Sequence, residues 1–178
     1  MGKRNHKETG QTYSVVLWIT VAAVCFCLAG CGGYSNESLY PDEVGTVYVE
    51  MFENESFNRG AEYELTDALA KRIEAQTPYK IVSNRDRADT VLSGRIVSMG
   101  QSVLTVERET GRALEKDVEM QAVVSWKNLK TGKLLIDNKT VDAMASYSEW
   151  QNQGTTYASS LAANKLARKI VELMEKKW

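Results

Sequence analysis

The chain has 178 residues, of which 43% are hydrophobic and 25% are charged, and its formal net charge is −1. This composition is that of an ordinary globular protein, and the length suits one domain. A disordered tail, a collagen-like repeat and a polytopic membrane protein are therefore excluded.

The first thirty residues have the pattern of a secretory signal. Lys3, Arg4 and Lys7 form a basic start, and the following run from Val15 to Ala29 carries no charge. This fifteen-residue run is shorter than the roughly 20 apolar residues that a membrane-spanning helix needs. A basic segment, a short apolar segment and small residues at the cleavage site define a signal peptide. We therefore predict one over residues 1–30.

The cleaved chain is poor in the residues that most catalysis uses. Removing the first 30 of the 178 residues leaves 148, with 19 basic and 22 acidic residues and a formal charge of −3. His6, Cys25 and Cys27 are lost with the signal, so no histidine remains and Cys31 is the one cysteine. An intrachain disulfide, a zinc site of Cys and His, and a nucleophile activated by His are excluded.

Other chemistry receives little support from the remaining residues. No dinucleotide, phosphate-loop or calcium-loop motif is present, and the negative charge disfavours binding to nucleic acid. The acidic pairs Glu62 with Glu64 and Glu107 with Glu109 could form a carboxylate dyad, but a solvated acidic face explains them better. We expect no cofactor, no metal and no enzymatic activity.

The rest of the chain predicts a tether followed by one α+β domain. Residues 31–43 are small and polar at first and predict a flexible tether, with the domain over 44–178. The predicted elements, in chain order, are a strand over 44–52, a helix over 60–76, a short strand over 79–83, a long strand over 90–107, a strand over 118–127, a strand over 134–146 and a helix from about 156.

Periodicity supports these elements and predicts how they pack. Apolar residues recur at helical spacing after Leu65, and they alternate with polar ones from Val118 to Lys127. Because two amphipathic helices need a sheet to cover them, we predict a two-layer sandwich. In it, two helices pack on one face of a mostly antiparallel four- to five-stranded sheet. Trp126, Leu69 and Ile170 are its predicted core, and Gly94 and Gly100 predict bulges or bends in the long strand.

The end of the signal resembles the lipobox of bacterial lipoproteins. Leu28-Ala29-Gly30-Cys31 follows the apolar segment directly. The resemblance implies cleavage after Gly30 and attachment of a diacylglyceryl group to the Cys31 sulfur. Gly32 replaces the aspartate that retains many such proteins in the inner membrane, which points to the outer membrane. N-terminal myristoylation is disfavoured because position 6 is histidine, where that motif needs Ser or Thr.

Most of the cleaved chain resembles the LptE family of lipopolysaccharide-assembly lipoproteins. The resemblance rests on the lipobox, the size, the closing helix, and the segments 47–54, 63–69, 77–82 and 88–96. It implies a lipid-anchored protein on the periplasmic face of the outer membrane. It further implies that the chain plugs and helps to assemble a large LptD-type β-barrel and binds lipopolysaccharide.

Two related families share about half of the pattern. The strand, the Phe-x-Asn step, the Leu-Thr-x-Ala-Leu helix and the segment 88–96 also resemble the curli-secretion lipoproteins and the lipoproteins that activate peptidoglycan synthases. Both remain alternatives, although the long strands and the short chain fit the LptE family better.

Two further groups of side chains are candidates for contact with a partner. Basic residues at the two hairpin turns could bind lipid phosphates or could simply make the turns soluble. The candidate lipopolysaccharide contacts are Arg108, Arg112, Lys130 and Lys133. Aromatic residues surround the loop before the last helix, and they predict either a partner surface or a loop folded over the sheet edge: Tyr147, Trp150 and Tyr157.

Overall fold

A computed structural model describes residues 38–109, 111, 113–148 and 154–176. The predicted signal peptide, Cys31, Arg112 and Trp150 lie outside these residues. The described elements are β1 (Thr46–Val49), β2 (Glu53–Asn54), α1 (Ala61–Gln76), β3 (Lys80–Ile81), a 3-10 turn (Arg85–Arg87), β4 (Thr90–Val106), β5 (Ala113–Asn128), β6 (Leu134–Ser148) and α2 (Thr155–Glu172). Neither helix is long and apolar enough to span a membrane.

The described strands form one mixed sheet. Its order is β3-β1-β4-β5-β6, and β2 pairs with β4 further along, beyond β1. The β4–β5 and β5–β6 pairs are antiparallel, whereas β1 pairs with β3 and β4 in parallel and β2 pairs with β4 in parallel. The prediction of four to five mostly antiparallel strands therefore needs correction. Since α1 carries the chain back to the end where β1 began, β3 and β4 run parallel to β1.

The predicted strand over 44–52 is shorter in the structure, and a second short strand, β2, follows it in a stretch predicted as a loop. Between the two strands Phe52 turns toward the core. The Phe52 amide donates to Thr66 Oγ1 of α1 at 3.2 Å, and its ring is 2% exposed. Glu50 N still donates to Leu92 O at 2.9 Å, so the chain stays beside β4 between the two short strands.

Both helices lie on one face of the sheet and enclose a single core. On α1 the buried residues are Ala61, Leu65, Ala68, Leu69 and Ile73, and on α2 they include Ala158, Ala162, Ala163, Leu166, Ala167, Ile170 and Val171. The alanines of α2 leave room for close approach to α1. Leu69 and Ile170 are fully buried and Trp126 is 2% exposed, which confirms the predicted core.

Neither glycine in β4 marks a bulge. The register with β5 shifts between Ile96 and Ser98 and again between Val103 and Val106. Gly94 serves close packing instead, because a Cβ there would lie 2.5 Å from Val123 O and 2.6 Å from Phe52 Cε1. A Cβ at Gly100 would meet nothing within 4 Å.

The β4–β5 hairpin extends past the helices. The 17 residues of β4 span about 55 Å at roughly 3.3 Å per residue, whereas the 16 residues of α1 span about 24 Å at 1.5 Å per residue. Residues 100–106 are all exposed. We call the end of the sheet with the β4–β5 turn the tip, and the opposite end, where β1 and β4 begin, the base.

The chain enters the domain at the base. Tyr40 and Val44 are buried, and Leu39 O accepts a hydrogen bond from Lys176 N at 2.7 Å. The Tyr40 and Tyr79 rings pack edge-on with their centroids 5.6 Å apart, and the centroids of the Tyr79 and Trp126 rings are 5.8 Å apart. These contacts fix the start of the described chain beside the end of α2.

Candidate functional site

The structure divides the candidate lipid-binding cations between the two ends of the sheet. Arg108 is exposed at the tip turn, and Arg112 lies outside the described residues. Lys130 and Lys133 lie at the base, in the turn between β5 and β6. Because the 16-residue β5 separates the two turns by about 50 Å at roughly 3.3 Å per residue, these cations do not form one site.

Lys130 has a structural partner. Its ammonium forms an ion pair with the Asp89 carboxylate, which is 18% exposed. The other carboxylate oxygen accepts from Gly45 N at 3.0 Å, from Thr46 N at 2.8 Å and from Thr46 Oγ1 at 2.9 Å. Leu129 N donates to Asp89 O at 2.8 Å. Asp89 therefore joins the starts of β1 and β4 to the β5–β6 turn.

These contacts favour the charged form of Asp89. The hydrogen bond from Lys130 is the largest cause, and the hydrogen bonds from Thr46 and Gly45 add to it, so the pKa of Asp89 falls to about 2. Sequence reasoning did not single out Asp89. Its only sequence signal is an aspartate immediately before a strand, which is common in turns.

Lys133 and Arg108 differ from Lys130. Their side chains form no hydrogen bond or ion pair with any described residue, and both residues are exposed. Each is thus available to an anionic ligand at its own end of the molecule.

A loop held by hydrogen bonds presents Phe57 to solvent. Asn54 Oδ1 accepts from Ser56 N at 2.9 Å and Ser56 Oγ at 2.7 Å, while Asn54 Nδ2 donates to Asn58 O at 2.8 Å and Glu62 Oε2 at 2.6 Å. Phe57 is 104% exposed relative to its reference value. A fully exposed ring on an ordered loop is a candidate contact for a partner.

In the acidic pair of Glu62 and Glu64, the two carboxylates have different surroundings. Glu62 accepts from Gly60 N at 3.0 Å in addition to Asn54, and hydrogen bonding, first to its own backbone N–H and then to Asn54, lowers its pKa. Burial raises the pKa of Glu64. Among the described residues no three His, Cys, Asp or Glu side chains are grouped as metal ligands would be.

The predicted aromatic group is not a shared exposed surface. Tyr147 is 4% exposed, and its hydroxyl donates to Gln101 Oε1 at 3.3 Å and lies 3.4 Å from Thr155 Oγ1. Tyr157 is 52% exposed on α2. Tyr147 is therefore buried, whereas Tyr157 is about half exposed. Trp150, the third member of the predicted group, lies outside the described residues.

Exposed apolar side chains are concentrated toward the tip. Val103, Leu104 and Val106 are each about half exposed, at 54, 54 and 55%. They lie in the part of β4 that extends past the helices, where the register with β5 shifts. This exposed hairpin end therefore offers apolar surface to a partner.

The outer edge of the sheet is protected by contrast. Lys165 Nζ donates to Met144 O at 3.0 Å, and Lys169 Nζ donates to Asp142 O at 2.7 Å. These two lysines of α2 occupy carbonyl groups of the edge strand β6 that would otherwise pair with another strand.

Two solved structures with TM-scores above 0.5 have a similar fold at low sequence identity. The hypothetical protein CT253 of Chlamydia trachomatis is 10% identical with a TM-score of 0.52, covering 72% of this chain and 94% of that one. Uncharacterized lipoprotein B of Nitrosomonas europaea is 13% identical with a TM-score of 0.52, covering 80 and 88%. Rare lipoprotein B of Shewanella oneidensis is 17% identical with a TM-score of 0.47, covering 73 and 93%. No curated protein sequence matches the chain.

The family comparison is more specific than these fold similarities. The sequence pattern described as LptE, lipopolysaccharide-assembly, matches residues 44–176. This range contains both helices, all six strands and the exposed hairpin. The match confirms the family that the sequence segments resemble, and the chain belongs to the LptE family of lipopolysaccharide-assembly proteins.

Proposed function

We propose that this chain is an outer-membrane lipoprotein that plugs and helps to assemble an LptD-type β-barrel, and that it assists transport of lipopolysaccharide to the cell surface. Its role is binding rather than catalysis. The observation that carries the proposal is the hairpin end, where residues 100–106 are exposed throughout and Val103, Leu104 and Val106 offer apolar surface.

A concave partner suits such a hairpin better than a flat one. A flat surface covers one face of a strand pair, whereas the lumen of a barrel surrounds both faces. Small barrels fill their interior with their own side chains, so only a large barrel admits a domain. A domain of the size of residues 38–176 has a radius of gyration near 14 Å, which sets the scale of the lumen.

The lipid anchor is the second part of the proposal. Cys31 carries the diacylglyceryl group, and cleavage follows Gly30. Two or more acyl chains anchor a protein stably, at about 0.8 kcal/mol per buried CH₂. Cys31→Ala should leave an exported form that is uncleaved or soluble. Normal processing and membrane fractionation of this variant would contradict the anchor.

The third part concerns lipopolysaccharide. Since Lys130 and Lys133 lie about 50 Å from Arg108 along the strand, one headgroup does not reach both ends. We therefore propose that the lipopolysaccharide contact lies at the tip, where the exposed Arg108 can pair with phosphate oxygens. Arg112 follows four residues later in the sequence, outside the described residues. Arg108→Gln should weaken binding of purified lipopolysaccharide severalfold, and Lys133→Gln should leave it nearly unchanged. An equal loss of lipopolysaccharide binding in both variants would contradict a contact confined to the tip.

Affinity purification of the tagged full chain from native membranes tests the main claim. We expect recovery of a barrel protein several times its mass. The double variant Leu104→Asp with Val106→Asp should strongly reduce recovery of the barrel protein, because its charged side chains would then face the inner wall of the barrel. The matched control is Tyr63→Asp, since Tyr63 is 63% exposed on α1.

Other outcomes would point elsewhere. Recovery of a ring of the lipoprotein itself would support the curli-secretion alternative, and recovery of a peptidoglycan synthase would support the activator alternative. Unchanged surface lipopolysaccharide and unchanged barrel abundance after depletion would contradict the assembly role.

A further inference from the structure

The base of the sheet carries four cations without a partner. The side chains of four exposed residues form no hydrogen bond or ion pair with any described residue: Lys80, Arg87, Lys127 and Lys133. The other base cations are paired, Arg85 with Glu50 at 3.3 Å, Lys130 with Asp89, and Lys176 with Asp42 at 3.1 Å. The unpaired cations are thus the ones available to an external anion.

The fold places these four cations along one rim. Lys80 begins β3 and pairs in register with Thr46. Arg87 ends the 3-10 turn before β4, Lys127 precedes the last residue of β5, and Lys133 precedes the first residue of β6. A cleft of about 480 Å³ opens on this rim between the 3-10 turn and the β5–β6 turn.

Acidic groups do not neutralise this rim. Of the described acids near the base that lack an ion pair, Glu43, Glu74 and Glu175 belong to the helix layer. Asp86 lies on the rim itself, and its backbone N–H donates to Asn84 Oδ1 at 2.9 Å. Asp137 lies a few residues into β6. Positive charge therefore exceeds negative charge along the strand ends.

The start of the chain brings this rim close to a membrane. Ser38 begins the described residues at the base, and only residues 32–37 separate it from Cys31. The seven residue steps from Cys31 to Ser38 span at most about 25 Å when fully extended. A lipid on Cys31, which is part of the proposed function above, would hold the base near the bilayer surface and keep the tip farther from it.

We propose that the base rim docks on anionic phospholipid headgroups of the leaflet that holds the lipid of Cys31. Lys and Arg are attracted to the negative surface potential of a membrane within about one Debye length, about 8 Å at physiological salt. A basic patch beside a lipid anchor supplies a second binding signal. In the absence of the barrel, docking would orient the hairpin away from the membrane. Lipopolysaccharide shares the phosphate chemistry, but the short tether favours the phospholipids of the anchoring leaflet.

The test uses the purified, lipidated chain in vesicles. Because the cleaved chain has no cysteine besides Cys31, a fluorophore can be attached at Thr131→Cys in the base turn or at Glu109→Cys in the tip turn. The vesicles contain phosphatidylcholine alone, phosphatidylcholine with phosphatidylglycerol, or phosphatidylcholine with lipopolysaccharide. A quencher on a lipid headgroup reports how close each fluorophore lies to the surface.

We expect phosphatidylglycerol to increase quenching at Thr131→Cys at least twofold, with little change at Glu109→Cys, and high salt to reverse the increase. Lys127→Gln with Lys133→Gln should bring quenching back to the level seen with phosphatidylcholine. The matched control is Arg59→Gln with Lys71→Gln, which removes two exposed charges that are not among the rim cations and should preserve the increase.

Three results would overturn the proposal. Equal quenching at Thr131→Cys with and without phosphatidylglycerol would remove the docking surface while leaving the anchor intact. An increase seen only with lipopolysaccharide would reassign the rim to that lipid. Failure of the chain to enter any vesicle would remove the anchor itself, and the docking surface with it. None of these measurements involves the barrel, so the plugging role is tested separately.

Discussion

The base and tip halves of the β4–β5 hairpin belong to the same two strands but meet different surroundings. In the base half, buried Val124 and Trp126 alternate with Val123, Ser125 and Lys127, which are less buried or exposed. In the tip half, residues 100–106 of β4 are all exposed. The cause is geometric, because a helix rises 1.5 Å per residue and a strand about 3.3 Å. Helices of similar residue count therefore leave the tip ends of these strands uncovered, although Val118 of β5 is still fully buried.

This difference separates stability from recognition. Burial of apolar side chains against α1 and α2 provides most of the folding free energy of the base half. The tip half adds little to the core and offers its side chains to a partner. Substitutions of the same kind should therefore have unequal effects in the two halves.

The largest expected effect is the loss of a core side chain over the base half. Ile170→Ala or Leu69→Ala should lower the free energy of unfolding by about 2–5 kcal/mol, because each removes buried methyl groups and leaves a cavity. Leu104→Ala, at the tip, should change it by no more than about 0.5 kcal/mol. Urea denaturation followed by circular dichroism measures all three. If Leu104→Ala lowered the free energy of unfolding as much as the core substitutions, the proposed difference between the two halves would be wrong.

Two glycines in β4 provide a further test of the difference between the base and tip halves. Gly94→Ala should destabilise by about 2–3 kcal/mol, since the new methyl group would overlap Val123 O and the Phe52 ring. Gly100→Ala meets open space and should be neutral or stabilise by about 0.5 kcal/mol. The same denaturation measurement applies, and equal effects at the two positions would show that the packing around Gly94 relaxes.

A smaller effect is expected from the ionic contacts at the base. The pKa of Asp89 is about 2 when folded, below its usual value near 3.9. The charged Asp89 therefore contributes its full amount to the free energy of unfolding above about pH 5, and this contribution is lost as the pH falls through 4 toward 2. Asp89→Asn should cost about 1–2 kcal/mol at pH 7 and should flatten the stability profile between pH 5 and 2. An unchanged profile would show that Asp89 does not control this loss.

The smallest effect on stability is expected at the protected edge. Lys165→Met with Lys169→Met should cost less than about 1 kcal/mol, because exposed charged contacts contribute little. It should, however, free the Asp142 and Met144 carbonyls and increase self-association, as unprotected edge strands do. Light scattering against concentration measures this. Lys71→Met is the control, since Lys71 pairs only with the Asp67 side chain at 2.7 Å, and it should not promote association.

The sequence predicted local structure well wherever one period dominated. The alternation from Val118 to Lys127 and the helical stripe containing Leu69 both reflect burial of one face. The same patterns gave the buried positions of Trp126 and Ile170. The site was less predictable, because side chains that act together, such as Asp89, Thr46 and Lys130, are far apart in the chain.

By itself the sequence determined the two-layer arrangement and the order of the elements apart from β2, since these follow from periodicity. It also indicated the family through a resemblance, which the family comparison confirmed. Only the tertiary structure decided the parallel pairing of β1 with β3 and β4, the packing role of Gly94, and the division of the basic residues between two ends. These features depend on distances between segments remote in sequence. Local propensity carries no information about such distances. Strand order depends instead on how the helices cover the sheet.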